Sequence, residues 1–116
     1  MDVQMMVQAY GMLYHIETTL KQTVETIMTN QYGLLWRRKL KEEEKEYLYE
    51  IISIFGKYKP LITIFTPLDR KKLYELIPIR NKICHMKHIA ILEYKFLEEC
   101  LELVTRTLKT NSSILT

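Results

Sequence analysis

The sequence predicts an all-α protein, a bundle of four to five helices. Three observations lead there. Apolar residues recur at three- and four-residue spacing over long stretches, which is the period of one helix face. Only 3 glycines and 3 prolines interrupt the 116 residues, so long unbroken elements are expected. The one run with strand character, Leu61-Ile62-Thr63-Ile64-Phe65, has no second strand to pair with. A lone strand leaves its backbone groups unpaired, so this run is expected as an extended apolar connection packed on the bundle. The length fits a single domain, read as residues 1–109, with a frayed tail over 110–116.

The first helix is expected from about Val3 to Thr29. Leu13, Ile16, Leu20, Val24 and Ile27 follow one buried stripe, and Val3, Met6, Val7, Tyr10 and Met12 carry the apolar character upstream. Gly11 interrupts it at a modest propensity cost. Asn30 and Gly33 are plausible stops because both tolerate the left-handed conformation that closes helices. Leu34-Leu35-Trp36-Arg37-Arg38 reads as a connecting segment. Its indole suits stacking on single-stranded RNA and its arginines suit phosphates. The plainer reading is a tryptophan that anchors the loop to the core, with the arginines in solvent.

The second helix is expected over about Lys41–Phe55, with Leu48, Ile51, Ile52 and Phe55 facing inward and Glu42-Glu43-Glu44 in its first turn. Negative charge suits the dipole there, and a solvated face is the better reading of these glutamates than a metal or acid–base role. Gly56 and Pro60 end the element. Thr66-Pro67-Leu68-Asp69 is a helix start, with a hydroxyl cap, a proline in the first turn and an acid three residues on. A third helix runs from there to about Ile77. Pro78 breaks or kinks it, and a further helical turn or two reaches His85. Met86-Lys87-His88 makes a short connection. The last helix covers about Ile89–Lys109, with Ile89, Leu92, Phe96, Cys100, Leu103 and Val104 as its buried stripe.

Net charge is +3, from 17 Lys+Arg against 14 Asp+Glu. This permits RNA as a partner without demanding it. Cys84 and Cys100 lack the spacing of a zinc or redox pair and are expected as small buried thiols in a reducing compartment. No metal-ligand pattern is present. No secretory leader is read at the start, and no stretch approaches the length needed to span a membrane. The expectation is a soluble cytoplasmic protein without a membrane partner.

The chemistry concentrates in Pro78-Ile79-Arg80-Asn81-Lys82-Ile83-Cys84-His85. Arginine offers a fixed, always-charged fork for phosphate. Histidine exchanges protons near neutral pH. On a helix Asn81 and His85 share a face, and Arg80 flanks them. Cleavage of RNA needs no metal, because the substrate's own 2′-hydroxyl is the nucleophile. It needs a general acid or base, the role of His85, and a cation for the charge that builds on phosphorus, the role of Arg80. Asn81 is expected to orient the imidazole or to hydrogen-bond the phosphate. Lys82, Lys87, His88, Arg37 and Arg38 are secondary candidates for RNA contacts. His15 is expected as a half-buried structural residue. One Arg80–His85 segment makes half an acid–base pair, so a two-fold dimer that joins two copies is expected.

The segment resembles the Arg-x4-6-His signature of the HEPN superfamily, in its Arg-Asn-x-x-x-His form. Leu13-Tyr14-His15-Ile16-Glu17-Thr18-Thr19-Leu20-Lys21 and Gln31-Tyr32-Gly33-Leu34-Leu35-Trp36 resemble the opening of some members. The resemblance covers roughly Tyr10–Lys109 and implies a HEPN-like bundle that dimerises around a composite cleft. It implies a metal-independent, cofactor-free endoribonuclease that leaves a 2′,3′-cyclic phosphate, with Arg80, Asn81 and His85 as site residues. Many such proteins are toxins or abortive-infection effectors, some beside a nucleotidyltransferase-like antitoxin. The alternative is a non-catalytic HEPN-like module that binds RNA, a nucleotide or a partner protein.

Overall fold

The computed structural model describes residues 2–42 and 48–110, and among them there are seven helical segments and no strand. They are α1 (Val3–Tyr32), α2 (Leu34–Glu42), α3 (Leu48–Phe55), α4 (Lys59–Ile62), α5 (Pro67–Tyr74), α6 (Ile77–Cys84) and α7 (Ile91–Thr110). The all-α class is as expected. The chain is cut into more and shorter pieces than a four- to five-helix bundle.

α1 is the axis on which the rest is assembled. Asp2 caps it by accepting from the Met5 N–H at 2.8 Å. Its expected stripe is buried in full: Leu13, Ile16, Leu20, Val24 and Ile27 are at most 5% exposed. α7, α2, α3, α4 and α6 pack against it, and α5 packs on α3 and α7. The core they close includes Leu48, Ile51, Ile52 and Phe55 from α3 and Leu97, Cys100 and Val104 from α7. The Phe55 and Phe65 rings meet edge to face at 5.2 Å. Tyr94 of α7 donates its hydroxyl to Gln8 Oε1 of α1 at 3.0 Å.

Several boundaries depart from the sequence reading. Leu34–Arg38 is not a connecting segment but the first half of α2. Gly33 takes φ 86° and ψ −174°, a conformation essentially confined to glycine, so the chain turns within one residue and restarts as helix. Glu42 therefore ends α2 instead of opening the next helix. Glu43 and Glu44 lie outside the described residues. Leu61–Phe65 is not extended: Lys59–Ile62 is a helical turn, and a tighter turn follows. Arg70 Nη1 donates to the carbonyls of Ile62 (3.2 Å) and Phe65 (2.8 Å), and so meets the backbone groups that this turn leaves open.

Thr66 and Asp69 form the expected start of α5 as a reciprocal capping box. α5 stops at Tyr74, short of Ile77. Pro78 sits in the first turn of α6, where its missing N–H costs no bond, so it opens this helix and does not break one. α7 starts at Ile91. Ile89 is buried in the connection before it, so the phase counted from Ile89 fails: Leu92 is 74% exposed and Leu97 is fully buried. Cys100 is buried as expected, and that burial pushes its thiol up to about 12. Cys84, also expected inside, is exposed at the end of α6. The tail beyond Thr110 lies outside the described residues. No helix among the described residues is long and apolar enough to cross a membrane.

Candidate functional site

α6 carries the Arg80, Asn81 and His85 constellation along the flank of α1. Ile79 and Ile83 point inward and are 6% exposed, which fixes the rotation of the helix. Asn81 is thereby exposed and Arg80 is half-buried against α1. The Arg80 guanidinium is held from two sides. Its Nε donates to Glu17 Oε1 at 3.3 Å, and its Nη1 donates to Asn81 Oδ1 at 3.3 Å. The Glu17 and Arg80 side chains are 25% and 23% exposed, so water screens the pair less than it would a surface pair. Arg80 and Asn81, with Leu48, Tyr49 and Ile77, line a cleft of about 260 Å³ between α3 and α6.

His85 is the residue that ends α6. Its backbone N–H closes on Asn81 O at 3.0 Å, its φ and ψ are −95° and 13°, and its side chain is exposed. The structure thus brings Arg80 and Asn81 together and sets His85 one turn on. The Asn81 amide oxygen serves the guanidinium. Glu17 is the partner that local spacing does not assign: it lies 63 positions before Arg80 and is joined to it only by the packing of α6 on α1.

The secondary candidates do not form one patch. Lys82 Nζ is bound to Glu93 Oε2 at 2.9 Å. Arg37 Nε is bound to Glu25 Oε1 at 2.6 Å, while Arg38 is exposed on α2. Lys87 is exposed in the connection after α6, and His88 lines an apolar groove with Val3, Met6, Val7, Tyr10, Ile83 and Met86. His15, expected to be half-buried, is exposed on the outer side of α1. No metal-binding group of His, Cys, Asp or Glu is found among the described residues.

Glu93 does more than neutralise Lys82. Its Oε1 accepts from the Ala90 N–H at 2.8 Å, which caps the start of α7. That backbone bond, with the Lys82 bond second, holds the carboxyl below the usual glutamate range. A depressed folded-state pKa means that the stabilisation is full above the unfolded pKa and is lost as pH falls through the folded value. Glu93→Ala is expected to cost about 1–2 kcal/mol at neutral pH. It should also flatten the acid side of the stability curve. Thermal melts of both proteins across a pH series check this, and parallel acid limbs would count against it.

Two further surfaces stand out. Val3, Val7, Tyr10 and Tyr14 fall on one stripe of α1 and are 80%, 65%, 58% and 61% exposed. Beside them Met86 is 92% exposed and holds φ 58°, a strained value for a residue with a Cβ. At the other end of α1, Trp36 is lodged half-buried between Tyr32 (6.0 Å, tilted) and Tyr58 (4.9 Å, edge to face). It anchors α2 to the core, as the plainer sequence reading has it. Its indole N–H is buried with no acceptor among the described residues, at a cost of about 1–3 kcal/mol. No family model, curated protein or solved structure matches the chain.

Proposed function

We propose that this chain is a metal-independent endoribonuclease of the HEPN type that acts as a homodimer. One observation carries the reading. A guanidinium held by a carboxylate and an amide borders a cleft, with an exposed imidazole one turn further along the same helix. Fixing the fork beforehand matters because electrostatic stabilisation works through groups that need no reorganisation during the reaction.

In the proposed reaction His85 takes the proton of the 2′-hydroxyl, or gives one to the leaving oxygen. The O2′–P bond forms as the P–O5′ bond breaks. The products are a 2′,3′-cyclic phosphate and a 5′-hydroxyl. Arg80 carries the charge that builds on the phosphoryl oxygens, with Glu17 and Asn81 as positioning residues. A single imidazole supplies one half of the proton transfer, and a second copy supplies the other. The exposed stripe Val3–Val7–Tyr10–Tyr14 and Met86 suit that copy, since an apolar patch of this kind marks an interface. Val3, Val7 and Tyr10 share a groove with Ile83 of α6 and with Met86 and His88.

The resemblance to HEPN proteins places such an activity in a toxin or abortive-infection role, with a nucleotidyltransferase-like antitoxin as a partner. The modest net charge of +3 and the pairing of Lys82 with Glu93 favour the second reading, a non-catalytic module. Incubation of the purified chain with RNA in excess EDTA separates the two. Fragments ending in a 2′,3′-cyclic phosphate are expected, from a species of twice the chain mass in sedimentation. Intact RNA would end the ribonuclease reading. A monomer that stays monomeric at high concentration would end the composite-site reading.

A further inference from the structure

The aromatic cleft at the C-terminal end of α1 takes no part in the reaction proposed above. Tyr32, Leu35, Trp36, Lys39 and Tyr58 line it, and it encloses about 340 Å³, within the roughly 300–1,000 Å³ of small-ligand sites. Tyr32 ends α1 and Trp36 stands in the first turn of α2, with their ring centres 6.0 Å apart and tilted at 40°. Tyr58, from the turn after α3, closes the side by meeting the indole at 78°, with ring centres 4.9 Å apart. Tyr32 remains 53% exposed, so the cleft is entered from solvent.

Positive charge sits on the rings. Lys39 Nζ lies 5.5 Å from the Trp36 ring centre, and Lys57 Nζ lies 5.4 Å from that of Tyr58. Among the described residues, no carboxylate lines the cleft. Among the described residues, none there forms a metal-binding group. An acidic peptide would use the ammonium groups and leave the ring faces idle. A single nucleic-acid strand uses both, because its bases stack on aromatic faces and its phosphates pair with flanking cations. A duplex hides the faces of its bases and cannot.

We propose that this cleft binds a base of single-stranded RNA, with Tyr32 and Trp36 as the stacking surface and Lys39 and Lys57 on the adjoining phosphates. Tyr32 and Glu17, the partner of Arg80, lie within about 60° of each other around the axis of α1. A strand gripped at the cleft therefore runs along one flank of α1 toward Arg80. This last step rests on the ribonuclease reading; the binding itself does not.

Trp36 is the only tryptophan of the chain, so its fluorescence reports on the cleft directly. The probe is an unstructured oligouridylate with 2′-O-methyl groups throughout, which removes the internal nucleophile and leaves binding alone. Saturable quenching of Trp36 is expected, while an RNA duplex of equal length leaves the signal unchanged. Tyr32→Ala and Lys39→Ala, both at exposed positions, should each weaken binding about tenfold with an unchanged circular dichroism spectrum. Absence of saturable quenching, equal quenching by the duplex, or wild-type binding by both cleft variants would overturn the proposal. Quenching without cleavage of unmodified RNA would end the ribonuclease reading and leave the cleft standing. Cleavage without quenching would do the reverse.

Discussion

His85→Ala is expected to slow RNA cleavage by about 10²–10⁴-fold, the usual worth of one positioned proton-transfer group. The melting temperature should not move, because His85 is exposed and its ring contacts no partner among the described residues. Arg80→Ala should behave differently. It removes the proposed phosphate-binding fork and also a bond between α6 and α1, so both rate and stability should fall. Rates on a defined RNA, read beside thermal melts, separate the two effects. His85→Ala cleaving at the wild-type rate would remove the histidine from the proposed mechanism. A stability loss equal to that of Arg80→Ala would show that it is a structural residue.

Phe55→Ala is expected to cost about 3–5 kcal/mol, the largest stability effect foreseen for a single change. Phe55 is 1% exposed and closes α3 where the chain turns toward α4. Its ring packs edge to face on Phe65, which lies in the turn that Arg70 secures. Removing it empties a site bounded by fixed backbone on both sides, so the walls have little room to close in. A domain of this size has only about 5–15 kcal/mol in hand. The variant should therefore be partly unfolded near body temperature, and denaturant titration measures the loss. By contrast Leu92→Ala, at an equally apolar but 74% exposed position, should shift the midpoint little.

What the sequence made legible was whatever depends on near neighbours. The buried face of α1 could be read because Leu13, Ile16, Leu20, Val24 and Ile27 obey one period without interruption. The start of α5 could be read because all parts of its cap lie within four residues. The misreadings have distant or single-residue causes. α2 was hidden because a glycine that ends one helix also allows the next to begin at once. The turn at Lys59–Ile62 depends on a guanidinium eight residues beyond Ile62. The same division holds at the candidate site. Arg80, Asn81 and His85 are one short motif. Glu17, which holds the arginine, is far away in sequence, and its claim on Arg80 follows from packing. Tyr32 could have been paired with Trp36 by their spacing of four, but nothing local brings Tyr58 to them.

The continuity of α1 gives the molecule a ruler. Its 30 residues form an unbroken rod that matches the 45 Å long dimension of the described residues. At about 1.5 Å of rise per residue, the backbone at Tyr32 stands about 22 Å from that at Glu17, and the rod cannot be shortened without breaking its hydrogen bonds. A stacked strand covers that distance in roughly six nucleotides. If it stays stacked, an oligonucleotide shorter than that is expected to occupy the proposed cleft or to reach Arg80, but not both. The length of the first helix thus sets a smallest measure for anything the protein grips at both ends.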